Sequence, residues 1–269
     1  MNPFTPEQTA AAKQLKAICD TLHAEMVVIG AMAYLSWIED RHRHTLDIDV
    51  AVAVDLDDYQ RLVALLRSAR WQQDLKREHR WTTPEGIRID IIPAGPALCA
   101  SNVLEWPISG MRMSLVGFGH VFKDSIPRSL GSGLNLRVIP LPVVLLLKIV
   151  SYEDDPHSRQ KDVQDVAAIL NRFDPDDSRR FSSEVIAAAL EYDTAGAFLL
   201  GKDLATVFPQ RKADGRSIRC ATARYRKPNT FAAPSTGTMM IRSNASPTRS
   251  SMLLKLGFKR RNALNARRN

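Results

Sequence analysis

Two aspartates stand one residue apart in Asp47-Ile48-Asp49-Val50, inside an otherwise apolar run. In a strand, residues two apart project from the same face, about 6.5–7 Å apart along the chain. Asp47 and Asp49 then aim side by side, while Leu46, Ile48 and Val50 face the core. Paired carboxylates on a buried strand repel each other and are costly to desolvate. A divalent cation relieves both costs, and Mg²⁺ takes oxygen ligands of this kind. A strand edge carrying two solvated acids satisfies the same local pattern. A third acid weighs against that simpler reading. Asp90 is the only acid in Arg88-Ile89-Asp90-Ile91-Ile92-Pro93, where Ile87, Ile89 and Ile91 take one face and Asp90 the other. If the two strands are neighbours, three carboxylates converge on a site for one or two Mg²⁺ ions bridging nucleotide phosphates.

These acids need elements to hold them. Thr5-Pro6-Glu7-Gln8 reads as a capping box, with Thr5 as N-cap and Pro6 at the first helical position. A helix over 6–23 follows, with Leu15, Ile18, Cys19 and Leu22 as its apolar stripe. Val27 to Ile29 reads as the first strand, Gly30 as a close turn, and Ala31 to Trp37 as a short helix. A strand, a glycine turn and a helix N-terminus can hold a phosphate through free amides; a plain strand-to-helix turn looks the same. Arg41-His42-Arg43-His44 is a basic cluster placed to contact a triphosphate or an acceptor, or to offset the acids beside it. His42 and His44 have no Cys or third His spaced to complete a zinc site. A helix from Asp57 to near Ala69 buries Tyr59, Leu62, Val63 and Leu66. An irregular strand through Glu78-His79-Arg80-Trp81 turns at Pro84-Glu85-Gly86 into the Asp90 strand. The outcome is a small mixed sheet with helices.

Residues 94–140 are less periodic. Leu98 to Glu105 reads as a helical turn, with Ser114 to Phe122 and Leu134 to Ile139 as strands around Gly131-Ser132-Gly133. Pro142 opens a helix through about Tyr152 that carries Lys148, and Asp154-Asp155-Pro156 breaks it. The next helix starts at Ser158, with Val163, Val166, Ala167 and Leu170 as its expected buried stripe. Lys161, Asp162 and Asp165 share the opposite face, which as a helix pattern reads as solvated with an internal Lys–Asp pair. Asp174-Pro175-Asp176-Asp177 punctuates the chain again. Helices near 183–192 and 196–208 follow.

Composition sets outer limits. In the 269 residues, 45% hydrophobic content suffices for a core. No run reaches the roughly 18 apolar residues of a membrane-crossing helix, and no secretory signal is visible. Cys19, Cys99 and Cys220 are scattered and odd in number, which fits structural thiols in a reducing cytoplasm. The net charge of +8 divides unevenly. From Arg211 onward lie 15 of the 37 Lys/Arg and one of the 29 Asp/Glu, leaving 22 basic against 28 acidic residues before it. A mildly acidic body thus precedes a strongly basic tail, read as disordered to about residue 250 with a short basic helix after it. Such a tail can bind nucleic acid or simply be solvated.

Three motifs resemble the nucleotidyltransferase superfamily of the polymerase-β-like minimal fold. They are Ile29-Gly30-Ala31, Arg43-His44-Thr45-Leu46-Asp47-Ile48-Asp49 and Arg88-Ile89-Asp90. Leu146-Leu147-Lys148 and Gln160-Lys161-Asp162-Val163-Gln164-Asp165 resemble the AbiEii-type branch, toxins of abortive-infection toxin–antitoxin systems. The resemblance covers about residues 25–172. Together with the periodicity and composition above, it divides the chain into an α+β nucleotidyltransferase domain over 1–140, a helical domain over 141–209 and a basic tail over 210–269 that matches nothing in the family. It also implies transfer of NMP from an NTP to a hydroxyl of RNA, protein or a small molecule, with Mg²⁺ on Asp47 and Asp49. Asp90 would complete the metal site, or act as base. Gly30 and Ala31 would approach the triphosphate by their backbone, and Lys148 would touch phosphate or base. Asp162 or Asp165 would support the site or the acceptor. Arg43, Thr45 and Lys161, inside the same motifs, count as substrate-binding. The implied partners are NTP, the acceptor and a cognate antitoxin. Two departures stand out: Ala31 occupies a position where the family carries Gly or Ser, and the crossing from Gly30 to Asp47 is long. The competing class is a catalytically weakened binding protein that keeps the fold and acts by contact with a partner.

Overall fold

A computed structural model describes residues 3–40, 45–131, 133–173 and 178–207. The first helix, α1 (Pro6–Thr21), starts on the expected capping box: Gln8 N–H donates to Thr5 Oγ1 while Thr5 N–H donates to Gln8 Oε1. Strand β1 (Met26–Val28) runs into α2 (Gly30–Trp37), and β2 (Asp47–Val52) into α3 (Leu56–Ser68). Then come β3 (Gln72–Gln73), β4 (Arg80–Thr82) and β5 (Arg88–Pro93), the last two forming the hairpin expected at 84–86. Helix α3 starts one residue before the expected Asp57, at Leu56, and Asp55 stands at its N-cap without capping it through the side chain. The Asp55 carboxylate instead accepts from the Ala97 and Leu98 amides and so caps the following helix, α4 (Pro96–Ser101).

The 94–140 region departs from expectation. After α4 come a small hairpin of β6 (Val103–Glu105) and β7 (Arg112–Ser114), then α5 (Gly119–Lys123). The hairpin of β8 (Ile126–Ser129) and β9 (Asn135–Val138) closes the region. Leu98 to Glu105 is therefore part helix and part strand, and Ser114 to Phe122 is mostly not strand. These elements are three to six residues long, too short for periodicity to tell helix from strand.

Seven strands form one mixed sheet in the order β3-β4-β5-β2-β1-β9-β8. Strand β2 lies parallel to β5 and antiparallel to β1, so it sits in the middle of the sheet. Ile48, Val50, Ile89 and Ile91 are buried. Leu46 is not: β2 begins at Asp47 and the Leu46 side chain is 73% exposed, against the expected core position.

From Leu141 on, the described residues are helical: α6 (Leu141–Asp154), α7 (Gln160–Arg172), a 3₁₀ turn at Ser178–Phe181, α8 (Ser183–Ala187) and α9 (Tyr192–Val207). Tyr192, expected to end one helix, begins the next. Helix α6 packs against α2, α7 and α9, and α2 packs against β2, which joins the helices to the sheet. Helix α7 is rotated from the expected way: Val166 and Leu170 pack partly buried against the core, while Val163 and Ala167 are exposed. Asp162, Asp165 and Ile169 are its buried residues, and Val163 is 39% exposed. The cause lies on α6: Lys148 is buried and draws both aspartates inward. Arg41-His42-Arg43-His44, the Asp174–Asp177 break and the tail from residue 208 lie outside the described residues.

Candidate active site

The register of three strands assembles the site. Asp49 pairs with Asp90 across β2 and β5, and Asp90 pairs with Arg80 across β5 and β4. Asp47 pairs with Arg88, which pairs with Thr82. Neighbouring strands lie about 4.8 Å apart and directly paired residues project from one face. The register therefore puts the two acids of β2 and the single acid of β5 on one face of neighbouring strands.

Arginine was the missing part. The Arg80 guanidinium donates from Nε to Asp90 Oδ1 at 2.8 Å and from one Nη to Asp90 Oδ2 at 2.8 Å. The same Nη donates to Asp47 Oδ2 at 3.1 Å. Arg88 Nε stands 2.8 Å from Asp47 Oδ1. These hydrogen bonds and nearby carboxylates push the Arg80 pKa further up. The signal was present in the sequence, because Arg80 and Asp90 are equidistant from Glu85 at the centre of the predicted turn. Opposite charges equidistant from a hairpin turn face each other across the ladder.

Among the described residues Asp49 makes no ion pair with an arginine; it accepts a long hydrogen bond from the Ala31 amide at 3.4 Å. It keeps some solvent exposure, yet burial dominates its titration and, with the Asp90 charge, pushes its pKa up to about 6. Lys148 acts in the opposite direction. Gly30 lies directly against Asp49. Its φ of +63° suits glycine, and an added Cβ would stand 2.1 Å from Asp49 Oδ2. Behind β4, the buried Glu78 carboxylate accepts from the Ile108 and Ser109 amides and from Ser109 Oγ. His79 Nε2 is 3.9 Å from Asp90 Oδ2, and burial lowers the His79 pKa. Neither Glu78 nor His79 was singled out beforehand; each matters through a loop contact that local pattern does not encode.

Lys148 forms a second cluster. Its Nζ is 2.9 Å from Asp162 Oδ1 and 2.5 Å from Asp165 Oδ2, all three side chains being buried. Arg159 stands 3.7 Å from the other Asp162 oxygen. Lys161 is exposed and takes no part in this cluster. Thr45 Oγ1 donates to the Asp47 carbonyl and so braces the entry to β2. Arg43 lies outside the described residues.

The oxygen donors suit a hard cation such as Mg²⁺. Among the described residues, however, no three His, Cys, Asp or Glu side chains are already grouped to hold a metal ion. Arg80 engages both Asp90 oxygens and one from Asp47. The acids fit a divalent ion in chemistry and in strand position, with Asp49 the carboxylate least committed to a cation.

The family model described as "Nucleotidyl transferase AbiEii toxin, Type IV TA system" matches residues 14–227. The chain belongs to this AbiEii family. The match extends past both ends of the 25–172 segment whose motifs carry the resemblance. It is a nucleotidyltransferase of α+β fold. A search of curated proteins finds no match. Among solved structures, an antigenic nucleotidyltransferase-like protein from Paracoccidioides brasiliensis is similar at 16% identity and a TM-score of 0.41, covering 75% of this chain and 89% of that one. The antibiotic-resistance factor ANT(2'')-Ia, in complex with adenylyl-2''-tobramycin, is similar at 14% identity and a TM-score of 0.38, covering 77% and 99%. Likenesses this loose carry no argument, and the assignment rests on the family model. No helix among the described residues is long and apolar enough to cross a membrane.

Proposed function

We propose that this AbiEii-family chain moves a nucleoside monophosphate from an NTP to an acceptor hydroxyl, with a divalent metal held by Asp47, Asp49 and Asp90. The observation that carries the reading is the register that sets Asp49 opposite Asp90, with Asp47 two residues along the same face. Mg²⁺, when bound, supplies the positive charge that a triphosphate's oxygens require. The acceptor oxygen bonds to the α-phosphorus, the bond to the β-phosphate breaks, and pyrophosphate leaves. Asp90 takes the hydroxyl proton. Gly30 and the start of α2 bring backbone amides close to the triphosphate, without a side-chain hydroxyl because Ala31 follows. Lys148, with Asp162 and Asp165, forms the wall on the helical side. Most of the rate enhancement comes from positioning and charge neutralisation.

The description of its family supports a role as the toxin of a type IV toxin–antitoxin pair with a cognate antitoxin as partner; we place this activity in the cytoplasm. RNA, protein and small-molecule hydroxyls remain the acceptor classes. Incubation with each α-labelled NTP, Mg²⁺ and total RNA or lysate tests the reading. Label should enter one acceptor class and be lost in Asp47→Asn and Asp49→Asn. Transfer that persists in both variants, or no transfer from any NTP, overturns it.

A further inference from the structure

Arg80 sits where a metal ion would compete with it. One guanidinium joins Asp90, through both oxygens, to Asp47. The strand that carries it is anchored two residues earlier, at Glu78. The backbone carbonyl of Glu78 accepts from Tyr59 Oη and Gln73 Nε2, and its carboxylate is tied to the Ser109 loop. The Arg80 side chain is 17% exposed and Asp90 12%, so the pair is only thinly screened by water. A planar guanidinium matches carboxylate and phosphate oxygens equally well.

We propose that Arg80 is a resident counter-cation that keeps the three-aspartate site closed to a divalent ion until a nucleoside triphosphate arrives, and then passes from the carboxylates to the phosphates. This rests on the reading of Asp47, Asp49 and Asp90 as metal ligands. A metal ion entering alone must share the carboxylates with a fixed positive charge. A metal entering with triphosphate brings negative oxygens that give Arg80 a new partner. Metal and nucleotide therefore bind with positive coupling, and by linkage each tightens the other by the same factor. Arg80 is a positioning residue here, and metal affinity reports its role without turnover.

Mn²⁺ binding to the full chain, followed by electron paramagnetic resonance, tests this with and without a non-hydrolysable NTP analogue. The wild type should bind Mn²⁺ weakly alone and much more tightly with the analogue. Arg80→Gln should bind Mn²⁺ alone about tenfold or more tightly than wild type, with most of the coupling gone. Arg80→Lys should fall between them, and it serves if Arg80→Gln folds poorly. Both gains should vanish when Asp49→Asn is added. Unchanged or weaker metal-only binding in both Arg80 variants overturns the counter-cation role while leaving the metal site intact. Wild-type Mn²⁺ binding that ignores Asp49→Asn, with or without the analogue, overturns the metal reading and this inference with it.

Discussion

A side-chain carbon on Gly30 would stand 2.1 Å from Oδ2 of Asp49 and 2.7 Å from its Cβ. The glycine is therefore required by a carboxylate as well as by its own backbone, whose φ is +63°. Gly30→Ala meets two penalties. The left-handed conformation costs about 1–2 kcal/mol in a residue with a Cβ, and displacing Asp49 costs about 1–3 kcal/mol more. The variant should lose stability by about 2–5 kcal/mol in urea titrations. NTP transfer should fall at least as far as in Asp49→Asn. Full transfer at wild-type stability would mean that Asp49 does not stand over Gly30.

Asp49 also makes stability depend on pH. Burial and the neighbouring Asp90 raise its pKa to about 6. Between about pH 4 and pH 6 the folded chain holds a proton that the unfolded chain has already released. This contribution to stability is complete below that window and lost as pH rises through it. Asp49→Asn removes the penalty, so in metal-free buffer it should be more stable than wild type by about 2 kcal/mol at pH 8 and nearly equal at pH 4. Denaturant midpoints at the two pH values check it. A variant destabilised equally at both would show that Asp49 is charged without penalty.

Much of the site was legible because strands have a period of two. The spacing of Asp47 and Asp49, the lone acid in Ile89-Asp90-Ile91 and the turn at 84–86 settle which side chains share a face. Arg80 was legible by the same counting, though strand pattern alone did not call attention to it. Helix α7 was not legible. Its valines and alanines suggest one buried face, but the helix is turned so that Asp162 and Asp165 are the more deeply buried, because Lys148 arrives from another helix. A pattern read within one helix cannot contain a partner 14 residues away. Leu46 fails for a related reason: alternation predicts its face, but β2 starts one residue later.

Lys148 holds two buried carboxylates at once, Asp162 and Asp165. Removing one member of a buried ion pair leaves a charge without compensation and costs about 3–5 kcal/mol. Lys148→Met leaves two such charges, and Asp165→Asn leaves Lys148 still paired with Asp162. The expected order of stability is wild type, then Asp165→Asn, then Lys148→Met, with the last lowest by at least about 3 kcal/mol. Adding Asp162→Asn and Asp165→Asn to Lys148→Met should recover part of that loss. Thermal and urea unfolding of the series checks the order. A Lys148→Met chain as stable as wild type would mean that these three groups do not meet.

Glu78 tests whether the segment ahead of Arg80 is held from behind. Its carboxylate is buried and accepts the Ser109 amide and Ser109 Oγ, each at 2.7 Å, with the Ile108 amide at 3.1 Å. Hydrogen bonds to a charged group contribute about 1.5–3 kcal/mol. Glu78→Gln keeps the shape but removes the charge, and its amide NH₂ end, standing where Oε2 accepts from the Ile108 N–H at 3.2 Å, would set donor against donor. A loss of about 1–3 kcal/mol is expected. The diagnostic effect lies further along the chain. Loosening residue 78 frees Arg80, so nucleotide-free Mn²⁺ should bind more tightly than in wild type, in the same direction as Arg80→Gln though by less. Ser109→Ala should show a smaller form of both effects, because it removes one donor and leaves the two amides. Reduced stability with unchanged Mn²⁺ affinity in both variants would separate the loop anchor from the site. The hairpin tip would then only support the fold.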